Sequence, residues 1–533
     1  MKVVVVGDIS LGGQYHLGDE AMTEAAIAQL KRHGADVTLI AGDPELSAEY
    51  YQVRTIRRLG FRQVARPRKL RMLSELDSAL SGEADVPKSM APAVDAVRVA
   101  DAVVIAGGGN LNSNGEHHLF ERLALKRMAE FFGVPLFLSS QTVGPKLSTR
   151  DKEVVKEIAR YATVVGVREQ SSARLMKDLV RNPKKIVLTF DDAVLVPHMA
   201  GSSVPTVDLD LPDRYVVGSF TYHVGTTELT GKDYYRTIAS ALDQIVSTCD
   251  VDIVLLPHMG HLGVGETKGR DCAGHARIAG FMTSPRVHQL PVLSAAQTVS
   301  VTAGADFTVS TRYHPVVFGP AVGTPAIGLV TSHYTMTRMH GVLENFGLGT
   351  FAVPFEGWDL FGPKIIEALA ADREELTGHL ADVGTAAVRY QTAWWDGIAD
   401  RIRRSGGVMK DDLPTLPTYD WGTRADRESF SAFKGVHDAL NRTRQRLSLD
   451  AAEQAREVED LTQQIGALAQ ESRRLKQNLA ARAKETATSR ESLQQQIDEL
   501  RERQRPPGAA LRDGVRRRVR RWKREKAVRT RGG

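Results

Sequence analysis

The sequence contains two cysteines in 533 residues, Cys249 and Cys272. They form no Cys-x-x-Cys pair, which argues against a disulfide scaffold or a thiolate zinc site and fits a reducing, cytoplasmic setting. No long apolar run opens the chain. "MKVVVVGDIS" turns to Gly7 and Asp8 after one short stretch, too short for a signal-peptide core or a membrane span, and it reads as a buried first strand. No Gly-x-Gly-x-x-Gly follows that strand, so the dinucleotide fingerprint is missing. The glycine-rich turn at 107–109 is not followed by Gly-Lys-Ser/Thr, so it is not a Walker loop. His117 and His118 are adjacent and read as surface groups. His258 and His261 sit on a loop without a third ligand at zinc-like spacing, so they read as cleft polarity and no metal site is expected.

Net positive charge is confined to one segment. The net charge is +6 and the pI about 9.1, yet from Arg512 onward eleven Lys and Arg stand against two acids. The rest of the chain is therefore mildly acidic, and nucleic acid is not the expected partner. Val515, Val519, Trp522 and Lys526 fall on one helical face of this tail, a pattern suited to an anionic membrane surface.

An apolar fraction of 42% is enough for ordinary cores. "KVVVVG", "DVTLIAG", "AVVIAGGG", "VPLFLSSQ", "TVVGVR" and "KIVLTFD" read as strands, each followed by a helical or polar stretch. A second series, "YVVGSFTYH", "DIVLLPH", "FTVSTR" and "PAIGLV", begins after a Pro/Ser/Asp-rich linker near 200–214. The predicted fold class is α/β: two Rossmann-like domains, residues 1–200 and 212–400, facing a cleft at the carboxyl ends of their strands. Residues 405–430 read as a loose linker and 431–504 as a helical coiled coil, with a single solvated helix as the alternative. Its a/d seam holds Val458, Leu461, Ile465, Leu468, Leu475, Leu479, Leu493 and Leu500, which would pair two copies of the chain. Residues 507–533 form the basic tail.

Within that frame, "STRYHPVVFGPAVGTPAIGL" puts Arg312 and His314 where a strand becomes a helix, with Pro315 suited to the first turn. A helix start beside an arginine suits an anion. Arg168 ends another strand, and is either a structural ion-pair partner or the second arginine of a clamp for a ligand with two anionic groups. Gly108, Gly109 and Asn110 follow a buried strand, where glycines allow close backbone approach to a ligand. Asp19 and Glu20 in "HLGDEA" are either first-turn complements to a helix dipole or carboxylates facing the cleft. Asp191 and Asp192 read as a cap or hinge. The basic stretch 54–71 reads either as a contact for lipid phosphate or, in preference, as a solvated helix.

In their order, "GDEA", "GGGN", "SSQTVGP", "GVRE", "DDAVL" and the Arg-x-His segment make residues 1 to about 350 resemble the polysaccharide pyruvyl transferase family. The resemblance implies a two-domain fold like that of the GT-B glycosyltransferases. It also implies transfer of a pyruvyl group from phosphoenolpyruvate to two hydroxyls of a sugar, giving a cyclic ketal and phosphate. On this reading Arg168 and Arg312 clamp the donor, His314 is the general acid, and Gly108, Gly109, Asn110, Gln141, Asp19 and Glu20 contact substrate. No cofactor beyond the donor substrate is implied. Where the family pattern has Tyr-x-x-Lys, this chain has Tyr334, Thr337 and Arg338, so Arg338 would supply that cation one residue later.

The expected protein is thus a cytoplasmic transferase acting on a cell-surface glycan or its lipid-linked precursor, dimerised by the coiled coil and held at the inner leaflet by the tail. Two rival readings stay open. One is a nucleotide-sugar glycosyltransferase on the same architecture, and the other is a catalytically idle scaffold.

Overall fold

The computed structural model describes residues 1–10, 14–199, 209–222, 229–263, 270–404, 413, 415–504 and 508–529. It divides into two units, Met1–Asp450 and Ala451–Gly533. Most of the 200–214 linker, and residues 405–412 and 414 of the later one, lie outside the described residues.

The first unit holds two parallel sheets. Among the described residues the first has eight strands, running Arg54–Arg57, Asp36–Ala41, Lys2–Val6, Ala102–Ile105, Leu136–Val143, Val164–Val167 and Ile186–Leu188 across the sheet, with Gly108–Leu111 pairing the end of Leu136–Val143. The second has six, ordered Val287–Gln289, Asp252–Leu255, Tyr215–Ser219, Thr308–Ser310, Ala326–Val330 and Ala352–Pro354. In both, strand order reverses beside the first strand of the series, the arrangement of a doubly wound sheet whose ligands bind at that reversal. Val3 to Val6 and Ala102 to Ile105 are buried along their whole length, as parallel strands covered by helices on both faces require. The expected strands all form. The edge strands 54–57, 287–289 and 352–354 were not anticipated, because each is short and carries little apolar pattern.

The stretch 54–71 is not a solvated helix. It contributes the edge strand, and a helix begins at Arg66. Arg58 pairs with Asp8 and Glu121, Arg66 with Glu116 and Asp151, and buried Lys69 with Glu116. These cations close a network against acids far along the chain, which a local reading of charge cannot see.

Helix Arg373–Arg404 leaves the second domain and packs on the first. Tyr390 donates to the Leu188 carbonyl (2.9 Å), Trp394 Nε1 to Ser139 Oγ (2.9 Å), and Gln391 Nε2 and Trp395 Nε1 to Asp192 Oδ1 (2.6 and 2.8 Å). By packing, the stretch read as the end of the second domain belongs to both. The expected loose linker is also corrected. Trp421 is fully buried and donates to the Thr350 carbonyl (3.0 Å), Tyr419 is buried, and a helix starts at Arg424 rather than 431. Phe430 of that helix packs edge-on against Trp421 and Phe361.

The second unit is helical. Helix Arg424–Arg503 continues through it, the seam residues from Val458 to Leu500 are all exposed, and Ala509–Arg529 forms a further helix.

Candidate active site

The loops that follow the strand carboxyl ends of both sheets enclose a cleft of about 320 Å³. The first domain contributes His16, Gly18, Asp19, Gly109 and Asn110, and the second contributes Thr311 to His314 together with Ser332, Tyr334, Thr335 and Arg338. Strand Thr308–Ser310 ends in a tight turn in which Ser310 Oγ donates to the Ser219 carbonyl (2.6 Å) and accepts from the Arg312 amide (2.8 Å). That turn aims Arg312 into the cleft and leaves His314 as the cap of the seven-residue helix Pro315–Ala321.

Arg312 pairs with Asp271, a fully buried acid whose other oxygen accepts the His258 amide (3.1 Å). Asp271 thus fixes both a cation and a loop, and its isolated position in "GRDCAG" has no pattern by which sequence reading could find it. Arg312 Nε and His314 Nε2 are buried without a hydrogen-bond partner. Gly18 explains how His314 fits: a Cβ there would lie 1.8 Å from Cε1 and Nδ1 of the imidazole. Burial, with Arg168, Arg338, His258 and His16 nearby, drives the His314 pKa well below the ordinary histidine value. His16 goes the other way. Burial disfavours its charged form, but Asp19, 2.5 Å from Nδ1, outweighs that and raises its pKa. Burial lowers His258 in the same way, so the cleft contains two imidazoles disposed to stay neutral and one disposed to hold a proton.

Arg168 and Arg312 do not form the expected clamp. Arg168 is fully buried, pairs with Asp191 and donates through Nε to Thr142 Oγ1 (2.9 Å). It lies behind Tyr313, with its guanidinium carbon 4.4 Å from that ring centroid. Arg338 takes the second cation position in the cleft. It too lies 4.4 Å from the Tyr313 centroid, and its Nη1 donates to Tyr334 Oη (3.0 Å), which in turn donates to the Gly109 carbonyl (3.4 Å) across the two domains. A Cβ on Gly109 would stand 3.1 Å from that phenol oxygen and 3.5 Å from the Arg168 and Arg338 guanidinium atoms, so only glycine lets these groups converge without displacement.

The remaining expected contacts divide between the cleft and the core. Asp19 and Asn110 line the cleft, and Asn110 donates to Asp8 (3.2 Å). Gly108 sits in strand Gly108–Leu111 behind the lining. Gln141 is buried and donates to the carbonyls of Ala106 and Ser139 (both 2.7 Å), so it braces the glycine turn instead of reaching ligand. Glu20 is turned away, accepting from the Ser10 amide (2.9 Å) and the Tyr51 hydroxyl, and burial raises its pKa to about 7. Asp191 acts as a cap, accepting from the Ala193 amide (2.8 Å), as well as pairing with Arg168. His258 is buried in the cleft wall. His118 is not a surface group: it is buried, 3.1 Å from Asp8, because the Arg58 and Glu121 network closes over it. Among the described residues, no group of three or more His, Cys, Asp or Glu is arranged to hold a metal ion, and no helix is long and apolar enough to cross a membrane.

A sequence profile of the family described as polysaccharide pyruvyl transferase matches residues 16–333, which spans every cleft segment named above up to the start of the Tyr334 helix. No curated protein matches the sequence. Among solved structures, the fold is similar to a protein assigned as a UDP-N-acetylglucosamine 2-epimerase of Listeria monocytogenes, with a TM-score of 0.52 and 12% identity over 78% of this chain and 99% of that one. It is also similar to MnaA of S. aureus with UDP, with a TM-score of 0.50 and 11% identity over 79% of this chain and all of the other. Such likenesses bear on fold alone, and they agree with the GT-B-like pair of facing Rossmann-like domains.

Proposed function

The chain belongs to the polysaccharide pyruvyl transferase family, and from that premise we propose that it moves the pyruvyl group of phosphoenolpyruvate onto two hydroxyls of a sugar, forming a cyclic ketal and releasing phosphate. The observation that carries this reading is the pair of arginines, Arg312 and Arg338, that line one small cleft formed by both domains. Phosphoenolpyruvate has two anionic ends, and a guanidinium can hold a carboxylate or a phosphate through two parallel hydrogen bonds. Asp271 holds the first arginine, and the rings of Tyr313 and Tyr334 flank the second.

The reaction needs a proton at the methylene carbon as a sugar oxygen attacks the neighbouring carbon. The resulting adduct then loses phosphate, and the second hydroxyl takes its place. One hydroxyl proton is thereby balanced by the new methyl group and the other leaves with phosphate. In this scheme the roles expected from sequence shift. His314, its pKa lowered by burial and by its cationic neighbours, accepts the proton of the attacking hydroxyl, and His16, its pKa raised by Asp19, donates to the methylene carbon. Arg168 acts from behind Tyr313 as a buried support.

A thermal shift titration with phosphoenolpyruvate tests the donor. The wild type is expected to gain stability as ligand rises, Arg312→Ala to lose most of that gain, and His16→Asn to keep the gain while turnover drops about 100-fold. Stabilisation by UDP but not by phosphoenolpyruvate would overturn the reading in favour of a nucleotide-sugar glycosyltransferase.

The C-terminal part completes the proposal. The exposed seam from Val458 to Leu500 pairs with a second copy of the chain. The basic helix, with Val515, Val519 and Trp522 exposed among arginines, lies on the anionic inner leaflet. On this reading the enzyme works in the cytoplasm beside a lipid-linked glycan precursor.

A further inference from the structure

A second, larger basin adjoins the cleft. It measures about 980 Å³ and lies between helix Gln170–Leu179 of the first domain, helix His333–Asn345 of the second, the turn at 347–350 and the opening turns of helix Arg424–Arg503. One helix serves both cavities: Tyr334, Thr335 and Arg338 line the cleft, while His333, Thr337 and His340 line the basin.

Its charge is unbalanced. Arg174, Arg427, Lys434 and Arg442 line it against Glu344 and Asp438. Asp438 is already committed to His333 (2.7 Å) and Arg442 (3.2 Å). The Lys434 ammonium donates to the Gly349 carbonyl (2.9 Å) and has no carboxylate within ion-pair distance among the described residues, and Arg174 has no ionic partner among them. Burial pushes the Lys434 pKa down to about 8, the mark of an ammonium short of compensating charge. Two hydroxyls of the lining, Ser171 Oγ and Thr350 Oγ1, are buried without a hydrogen-bond partner. Buried polar atoms are ordinarily satisfied, so cations without a carboxylate partner in a wall that also carries unsatisfied hydroxyls are complementary to an anionic ligand rich in oxygen.

We propose that this basin binds a phosphate-bearing segment of the glycan acceptor. The assignment to the acceptor rests on the function proposed above, whereas the anion site rests on the basin itself. A cleft of 320 Å³ accommodates the donor and one sugar at most, so a longer acceptor must extend past it, and the basin on the adjoining face of the same helix provides the space and the countercharge. The helix that begins at Arg424 supplies Lys434 and Arg442, which gives residues beyond the 16–333 family match a part in acceptor choice.

Isothermal titration of the full chain tests this with two probes, glucose 1-phosphate and inorganic phosphate. Titrations are run with wild type, Arg312→Ala, Arg174→Gln/Lys434→Met and the charge-preserving Arg174→Lys. The expected result is a binding event that survives Arg312→Ala and Arg174→Lys, weakens at least about tenfold in the double variant, and is tighter for the sugar phosphate, whose ring hydroxyls add contacts to the basin wall. Unchanged affinity in the double variant, with Arg174→Lys confirming an intact fold, would overturn the site. Loss of binding in Arg312→Ala instead would assign the anion to the cleft. Equal affinity for the two probes would overturn the acceptor assignment. Because the titration needs no phosphoenolpyruvate, failure of the donor reading leaves its outcome independent.

Discussion

A Cβ on Gly18 would meet Cε1 and Nδ1 of His314 at 1.8 Å, so Gly18→Ala forces the imidazole out of its place while leaving every catalytic side chain present. Displacement of a reacting group by about 1 Å can cost roughly 100-fold in rate. Gly18→Ala is therefore expected to reduce phosphate release from phosphoenolpyruvate, assayed with extracted envelope polysaccharide as acceptor, by about 100-fold at an almost unchanged Tm. Activity within about threefold of wild type would mean that His314 does not work from this position. The same residues show what sequence could convey. Arg312 and His314 were legible because strand, turn and Pro315 announce where they stand. Arg168 stayed open between two readings because an arginine at a strand end looks the same whether it faces a ligand or Asp191. Its commitment is decided by Asp191 and Tyr313, which stand 23 and 145 positions further along the chain.

Helix Arg373–Arg404 ties the domains together, and its anchor titrates. Asp192 is buried, so its pKa rises to about 6 from a model-peptide value of 3.8, even though Gln391 and Trp395 donate to it. Between those two values the folded state holds more protons than the unfolded chain, so this group's contribution to stability falls as pH rises from about 4 to about 6. Asp192→Asn keeps an acceptor for both donors and removes the titration. Its unfolding free energy, followed by urea denaturation across that range, is expected to lack up to about one proton of the wild-type slope. His275 and His340, both lowered to about 4 by burial, titrate with the opposite sign in both proteins, so the difference between the curves carries the test. Identical slopes would show that Asp192 ionises freely in the fold. At this scale the strands were readable because parallel strands buried on both faces are near-continuous runs of Val, Ile and Leu. The return of this helix onto the first domain was not, since an amphipathic face does not name the surface it covers.

For the whole molecule, the exposed seam and the basic helix are expected to make separable contributions. A chain ending at residue 511 is expected to lose co-sedimentation with vesicles containing anionic lipid, because each basic residue near such a surface contributes about 1 kcal/mol. A chain ending at residue 450 is expected to sediment as a monomer where the full chain sediments as a dimer. Vesicle binding that persists without the tail, or a monomeric full chain, would remove these roles. Both features were legible from sequence because heptad spacing and a run of arginines are local patterns.

By itself the sequence determined the two-sheet fold, the family, the position of the Arg-x-His turn, and the division between an acidic body and a basic end, since each follows from neighbours within a few residues or from the order of short motifs. The tertiary structure alone decided which charges line the cleft. Arg338 rather than Arg168 completes the arginine pair, Asp271 holds Arg312, and His314 is neutral while His16 is paired. Burial and ion pairing set the state of a charged group, and both depend on residues brought together from distant parts of the chain.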